Sequence, residues 1–166
     1  MISLMLVTAS VARAGPLLDL VPLRYRNDQV LKTKLCDSAN RLVVADVTAT
    51  EIVVVPKEEQ YPLGGGHLPA VYTIADYTVE RQISLGDLTS SFVLHQGGGV
   101  FGDKVLELVG WPTPSVGERY AYVLHYPNSD FSSPRPSVLE WRKLSMDVVI
   151  PSNSDLDAAY TEFCSE

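Results

Sequence analysis

The sequence predicts a mainly β protein: a small five-stranded barrel, closed or nearly closed, followed by a C-terminal helix. Three observations carry this reading. Between residues 42 and 126 five runs rich in Val, Ile, Thr and Tyr alternate with Gly- and Pro-containing stretches, and no helical period falls among them. Strands so spaced bury their edges best by closing on one another. With 166 residues, 46% hydrophobic and 20% charged, the chain is long enough to bury one core and has the balance of an ordinary globular domain. Near the end, Leu156, Ala159, Tyr160 and Phe163 recur at helical spacing.

Residues 15–41 read as a leader segment packed on the domain, because Leu and Val are mixed there with two prolines and show no sustained period. Residues 42–55, LVVADVTATEIVVV, hold no Gly or Pro; their branched side chains lose χ1 freedom in a helix, so a long strand is expected. The loop KEEQYPLGGGHLP follows, and a second long strand spans residues 70–84. Val71, Thr73, Ala75, Tyr77, Val79 and Ile83 can line one of its faces, with Asp76, Thr78, Glu80 and Gln82 on the other. After the turn Leu85-Gly86-Asp87, a third strand at residues 90–96 runs into Gly97-Gly98-Gly99, which reads as a bend or bulge. Residues 104–109 read as a fourth strand. The stretch WPTPSVG cannot continue a ladder, since two prolines remove donors and fix φ, and residues 118–126 form the fifth strand. The barrel is thus placed at 42–126. Residues 127–166 are an extension packed on it, with residues 138–150 as a hairpin arm or extra strand and a helix capped by Ser154, whose first turn holds Asp155 and Asp157.

The first fourteen residues, MISLMLVTASVARA, are apolar, lack acid and end in Ala12-Arg13-Ala14, the small-x-small pattern of a signal peptide cut after Ala14. No other stretch approaches a membrane span. A secreted or periplasmic location follows as an expectation. In an oxidising compartment Cys36 and Cys164 can pair, and two cysteines allow one connectivity, closing a loop of 128 positions. The net charge is −7; removing Arg13 leaves 12 basic against 20 acidic residues, or −8. Such a chain has no reservoir of positive charge for a phosphate backbone, so no nucleic-acid partner is expected.

The order of these pieces resembles the netrin-like modules, which share their fold with the tissue inhibitors of metalloproteinases. The likeness is greater still to bacterial exported proteins of similar pattern without assigned activity. It is carried by VVADVTATEI in the first strand, by Tyr72-Thr73 through Val79-Glu80 with the Leu85-Gly86 turn, by Gln96-Gly97-Gly98 after the third strand, and by PSVGERY before the fifth. Together these cover about half the chain. The resemblance implies an OB-type barrel with flanking helices. Inhibitors of that family ligate a protease zinc through a mature N-terminal cysteine; here the expected mature start is Gly15 and Cys36 lies well inside, so no functional residue carries over.

Chemistry is sparse. Gly97 to Gly102 satisfies G-x-G-x-x-G after a strand, but the residues before Trp111-Pro112 are too few for the helix whose N-terminus meets a pyrophosphate. His67, His95 and His125 lack the local spacing of a metal site, although His95 and His125 could meet across a barrel with Asp103 or Glu107. There is no G-x-S-x-G nucleophile elbow. No catalytic residue, metal ligand or cofactor is therefore assigned. The expected function is a non-enzymatic binding module for a protein or glycan outside the cytoplasm, with His67, His95, Trp111 and His125 as the candidate binding surface. The rival readings are a metal-dependent hydrolase using His95 and His125, and a protease inhibitor inserting the loop 111–115 or 64–67.

Overall fold

The computed structural model describes residues 17, 20, 21, 25, 28–55, 70–84, 90–107, 111–126 and 136–165. The expected signal segment, the loop carrying His67 and most of the stretch 127–137 lie outside the described residues. The protein is mainly β. One antiparallel sheet holds β1 (Asn40–Val55), β2 (Ala70–Gln82), β3 (Ser91–Gly97), β6 (Arg119–His125) and β7 (Ser137–Leu144) in the order β3-β2-β1-β6-β7. Between β3 and β6 the chain forms a separate two-stranded hairpin of β4 (Gly99–Phe101) and β5 (Lys104–Leu106). Helices α1 (Gln29–Leu35) and α2 (Asn153–Ser165) complete the described elements. The spatial run β6-β1-β2-β3 is a Greek key: three consecutive strands, with the fourth returning beside the first.

β1 sits at the centre because its first half is apolar on both faces, whereas beyond Val47 it carries Thr48, Thr50 and Glu51, which are exposed. The apolar half pairs with both β2 and β6; the rest pairs with β2 alone. Alternate residues feed two cores. On the outer face Leu42, Val44, Ile83, Ala121, Val123 and Leu144 pack with Leu35 and with Leu156, Ala159 and Tyr160 of α2, together with Leu17, Leu20, Val21 and Tyr25. On the inner face Val43, Ala45, Val47, Ala75, Tyr77, Phe92, Leu94, Tyr120, Tyr122 and Leu124 form the second core, against which Val138 and Trp141 pack. That inner core draws on all five strands, so the sheet curls. Phe92 of β3 and Tyr122 of β6 lie three places apart in strand order, about 14 Å in a flat sheet. Their ring centroids are 5.9 Å apart.

Three expectations need correction. The sheet is not closed into a barrel, since no ladder joins β3 to β7 among the described residues. The run expected as the fourth strand does not enter the sheet: Gly98 (φ +99°) and Gly99 (φ +146°) redirect the chain, and β5 pairs only with β4. Its place is taken by β7, which falls largely in the run expected as a hairpin arm or extra strand. The leader also contains a helix, α1. Its N-cap is Asp28, whose carboxylate accepts from the backbone N–H of Val30 at 2.9 Å and of Leu31 at 3.2 Å.

The C-terminal helix is present with its expected apolar face, although its cap lies earlier than Ser154. The Ser152 carbonyl accepts from Leu156 N–H at 3.1 Å, and the Ser152 hydroxyl donates to Asp155 at 2.5 Å. Cys36, at the end of α1, is bonded to Cys164 in the last turn of α2, with a Cα separation of 5.5 Å. Tyr160 reinforces the junction by donating to the Leu35 carbonyl at 2.9 Å. A disulfide of this kind fits an oxidising compartment. No helix among the described residues is long and apolar enough to cross a membrane.

Candidate functional site

Because the sheet curls without closing, its two edge strands face one another across a cleft of about 430 Å³. One wall is Val93, Leu94, His95 and Gln96 of β3; the other is Pro136, Ser137 and Val138 at the start of β7; Trp111 stands beside them. The alternation of β3 explains the first wall. Phe92, Leu94 and Gln96 are buried toward the inner core, while Val93 and His95 face outward and His95 is exposed.

Gln96 is the hinge of the arrangement. It occupies an apolar phase of the strand and is only 2% exposed, so both ends of its amide need partners. Its oxygen accepts from the Tyr77 hydroxyl at 3.2 Å, and its nitrogen donates to the Pro112 carbonyl at 3.4 Å. The second bond ties the proline-rich segment to β3 and holds Trp111, 43% exposed, at the cleft.

Behind the cleft lies a tyrosine network. Tyr77 and Tyr122 share a hydroxyl–hydroxyl bond of 2.9 Å, and Tyr77 stacks on Phe92 at 4.8 Å. Burial pushes the Tyr77 phenol up to about 12, and the Tyr120 and Tyr122 phenols are raised further, Tyr120 by burial and then by Glu118, Tyr122 by burial and then by the adjoining Tyr77 phenol. These groups are neutral hydrogen-bonding partners at ordinary pH, not bases. At the far end Tyr120 donates to Glu118 at 2.6 Å, and Lys143 pairs with the same carboxylate. Burial pushes Glu118 upward, but the hydrogen bonds from Lys143, Tyr120 and the Ser115 N–H together hold it below the ordinary carboxylate range.

Of the four residues singled out from sequence, the structure brings His95 and Trp111 to one cleft. His125 is not among the lining residues: its Nδ1 lies 2.8 Å from Asn40 Oδ1, and it touches the site only indirectly, as the cross-strand neighbour of Ser137. His67 lies outside the described residues. Among the described residues no group of three or more His, Cys, Asp or Glu gathers in a way that could hold a metal ion. The glycine run leads into the β4-β5 hairpin, so no helix N-terminus is available there for a pyrophosphate. Tyr77, Phe92, Tyr120, Tyr122 and Tyr126 are core residues, and Tyr72 is the exposed ring among the strand aromatics. Sequence reasoning missed Gln96 and the start of β7 as site residues. A polar side chain in the buried phase of an alternating strand was the available signal for Gln96.

A larger hollow of about 580 Å³ lies beside Arg142, Lys143 and Val149, with Leu20 and Leu144 of the outer core in its lining, and its lysine is already committed to Glu118. Compared with known proteins, the chain matches no family model, no curated protein and no solved structure.

Proposed function

We propose that the protein is an exported, non-enzymatic binding module that recognises a protein or glycan outside the cytoplasm through the cleft between β3 and β7. The observation that carries this reading is the exposed indole of Trp111, tied in place through Gln96 beside His95 in a preformed cleft. Aromatic anchors held in a formed concavity dominate recognition of sugars and peptides alike, because they bring large contact area at little cost in conformational entropy. The fold reading that goes with it is an OB-type, netrin-like module whose seam is open. Its support is the Greek-key order with a fifth strand beside the fourth, and helices on the outer face. The Cys36–Cys164 bond supports export.

The test is a panel of immobilised glycans and displayed peptides, with intrinsic tryptophan fluorescence to follow binding in solution. Trp111→Ala is expected to weaken any ligand found by at least about tenfold, as a centrally placed aromatic does. Trp141 packs against the inner core and keeps its emission. A ligand whose affinity is the same for Trp111→Ala and wild type would place recognition elsewhere on the surface.

A further inference from the structure

We propose that the seam between β3 and β7 binds an extended peptide segment of a partner protein, which adds as a strand running antiparallel to both edges. The inference rests on the binding-module reading above and assigns that site its class of ligand.

The ladder pattern shows where the free backbone groups are. In antiparallel pairing, residues alternate between exchanging both backbone hydrogen bonds with the neighbour and directing them to the other side. Val79 N–H donates to Ser90 O and Gly98 N–H donates to Val71 O, each at the end of the β2–β3 ladder. That parity makes Phe92, Leu94 and Gln96 the residues bonded to β2. The N–H and C=O of Val93 and His95 therefore point away from β2, toward the cleft.

The same reading applies on the opposite wall. Tyr126 N–H donates to Ala39 O and Val47 N–H donates to Glu118 O, so the even-numbered residues of β6 bond to β1 and the odd-numbered ones to β7. Val138 stands opposite Leu124, an even position, and directs its backbone groups outward. Among the described residues no backbone bond is made by these outward groups on either wall; such donors and acceptors are matched poorly by a glycan and well by the repeat of an extended backbone.

Direction agrees with this. Each neighbour in the order β3-β2-β1-β6-β7 is antiparallel, so β3 and β7 run the same way and a single added strand can be antiparallel to both. Charge narrows the ligand further. The chain carries −7 overall, and the lining offers His95 as its titratable side chain, so a neutral or basic segment is favoured over an acidic one. Alternate side chains of the added strand would face Leu94 and Val138, which lie on the inner-core side of the cleft.

The experiment selects binders to the whole protein from a displayed library of random decapeptides. It then measures the affinity of enriched synthetic peptides for wild type, His95→Pro and His95→Ala. Proline at this position removes an outward N–H and leaves the β2 ladder intact. Expected are enriched sequences with alternating branched or aromatic residues and few acids, a loss of roughly tenfold or more in His95→Pro from the missing main-chain bond, and little change in His95→Ala. In wild type without peptide, the Val93 and His95 amides should exchange with solvent much faster than those of Leu94 and Gln96, and slow when peptide binds. Should His95→Pro not fold, N-methylation of single peptide amides reads the same bonds from the ligand side: losses are expected at successive positions, because alternate amides face β3 and the intervening ones face β7, and a loss confined to every second position would overturn pairing with both edges.

Equal losses in His95→Ala and His95→Pro would overturn strand addition and assign binding to the imidazole. Protected Val93 and His95 amides in the free protein would overturn it by showing the seam already paired. A library yielding no binders while glycans bind in a Trp111-dependent way would also overturn it, and would leave the broader binding-module reading intact.

Discussion

Replacing Gly99 with alanine should cost several times more stability than the same change at Gly102, and the surroundings of the two positions set the difference. At Gly99, φ is +146°, and a Cβ would lie 2.8 Å from Thr73 Oγ1 and 3.4 Å from Val71 Cγ1. The threonine has no easy way to yield, since it is buried and donates to the Gly98 carbonyl at 2.9 Å. The backbone strain is worth about 1–3 kcal/mol, and forcing an extra methyl group into a packed site about as much again. We expect about 4 kcal/mol in all. At Gly102, where φ is +62°, an added methyl group would meet no heavy atom within 4 Å. Only the left-handed backbone counts there, about 1–2 kcal/mol, partly offset by about 0.4–1 kcal/mol from the restricted unfolded chain. At roughly 2–4 °C per kcal/mol for a chain of this size, scanning calorimetry should show Tm falling by about 8–16 °C for Gly99→Ala and by about 4 °C or less for Gly102→Ala. Adding Thr73→Ala to Gly99→Ala should recover part of the loss, because it removes the atom struck first. Equal shifts for the two glycines, or a strictly additive double variant, would refute the steric argument.

Other outcomes follow from the same structure. Replacing both Cys36 and Cys164 with alanine opens a 128-residue loop, for which chain entropy predicts a loss of about 4–5 kcal/mol; thermal melts should drop by about 10 °C or more, and a shift under about 3 °C would mean that the two helices hold each other without the bond. Tyr122→Phe removes one of the two partners of the Tyr77 hydroxyl and should destabilise by about 1–2 kcal/mol in urea titrations; an unchanged midpoint would show that Gln96 alone satisfies Tyr77. Tyr77 has its folded pKa raised from 10.0 to about 12, so its contribution is complete below pH 10 and is lost as pH rises toward 12; the alkaline slope of stability should shrink in Tyr77→Phe. Glu118 has its folded pKa lowered, so its contribution is present above its ordinary value of 4.5 and fades as pH falls below it; Glu118→Gln should flatten that acid limb, and an identical limb in both proteins would count against the Lys143 and Tyr120 bonds.

Much of the strand content was legible because density of branched residues and period-two alternation are local properties. β1, β2, β3 and β6 follow from them to within a few residues. β7 was less legible, since SVLEWRKL interleaves Leu139 and Trp141 with charges and fits an exposed arm as well as a sheet strand; only pairing with β6, across a proline-rich stretch, decides it. The reverse holds for Val105 and Leu106, which look like sheet residues but follow glycines whose positive φ turns the chain into its own hairpin. α1 escaped notice because seven residues give two turns, too few for a period to register. At the cleft, His95 and Trp111 could be named from sequence as candidates for a binding surface. Their meeting could not, because it depends on the curl of the whole sheet and on the Gln96–Pro112 bond. The cysteine pairing was readable for a combinatorial reason, as two cysteines admit a single arrangement.

The position of the disulfide bears on how the molecule is made. A growing chain delivers Cys36 some 128 residues before Cys164, and by then every sheet strand, through Leu144, has been synthesised. In the native fold α2 holds the two thiols within reach by docking its Leu156, Ala159 and Tyr160 on the outer core. We therefore expect the bond to act as a latch, thrown once the sheet has found its order, rather than to steer the pairing of strands as in a cysteine-dense scaffold. Reductant present during refolding should accordingly leave the rate of strand formation unchanged while speeding the later release of the terminal helix.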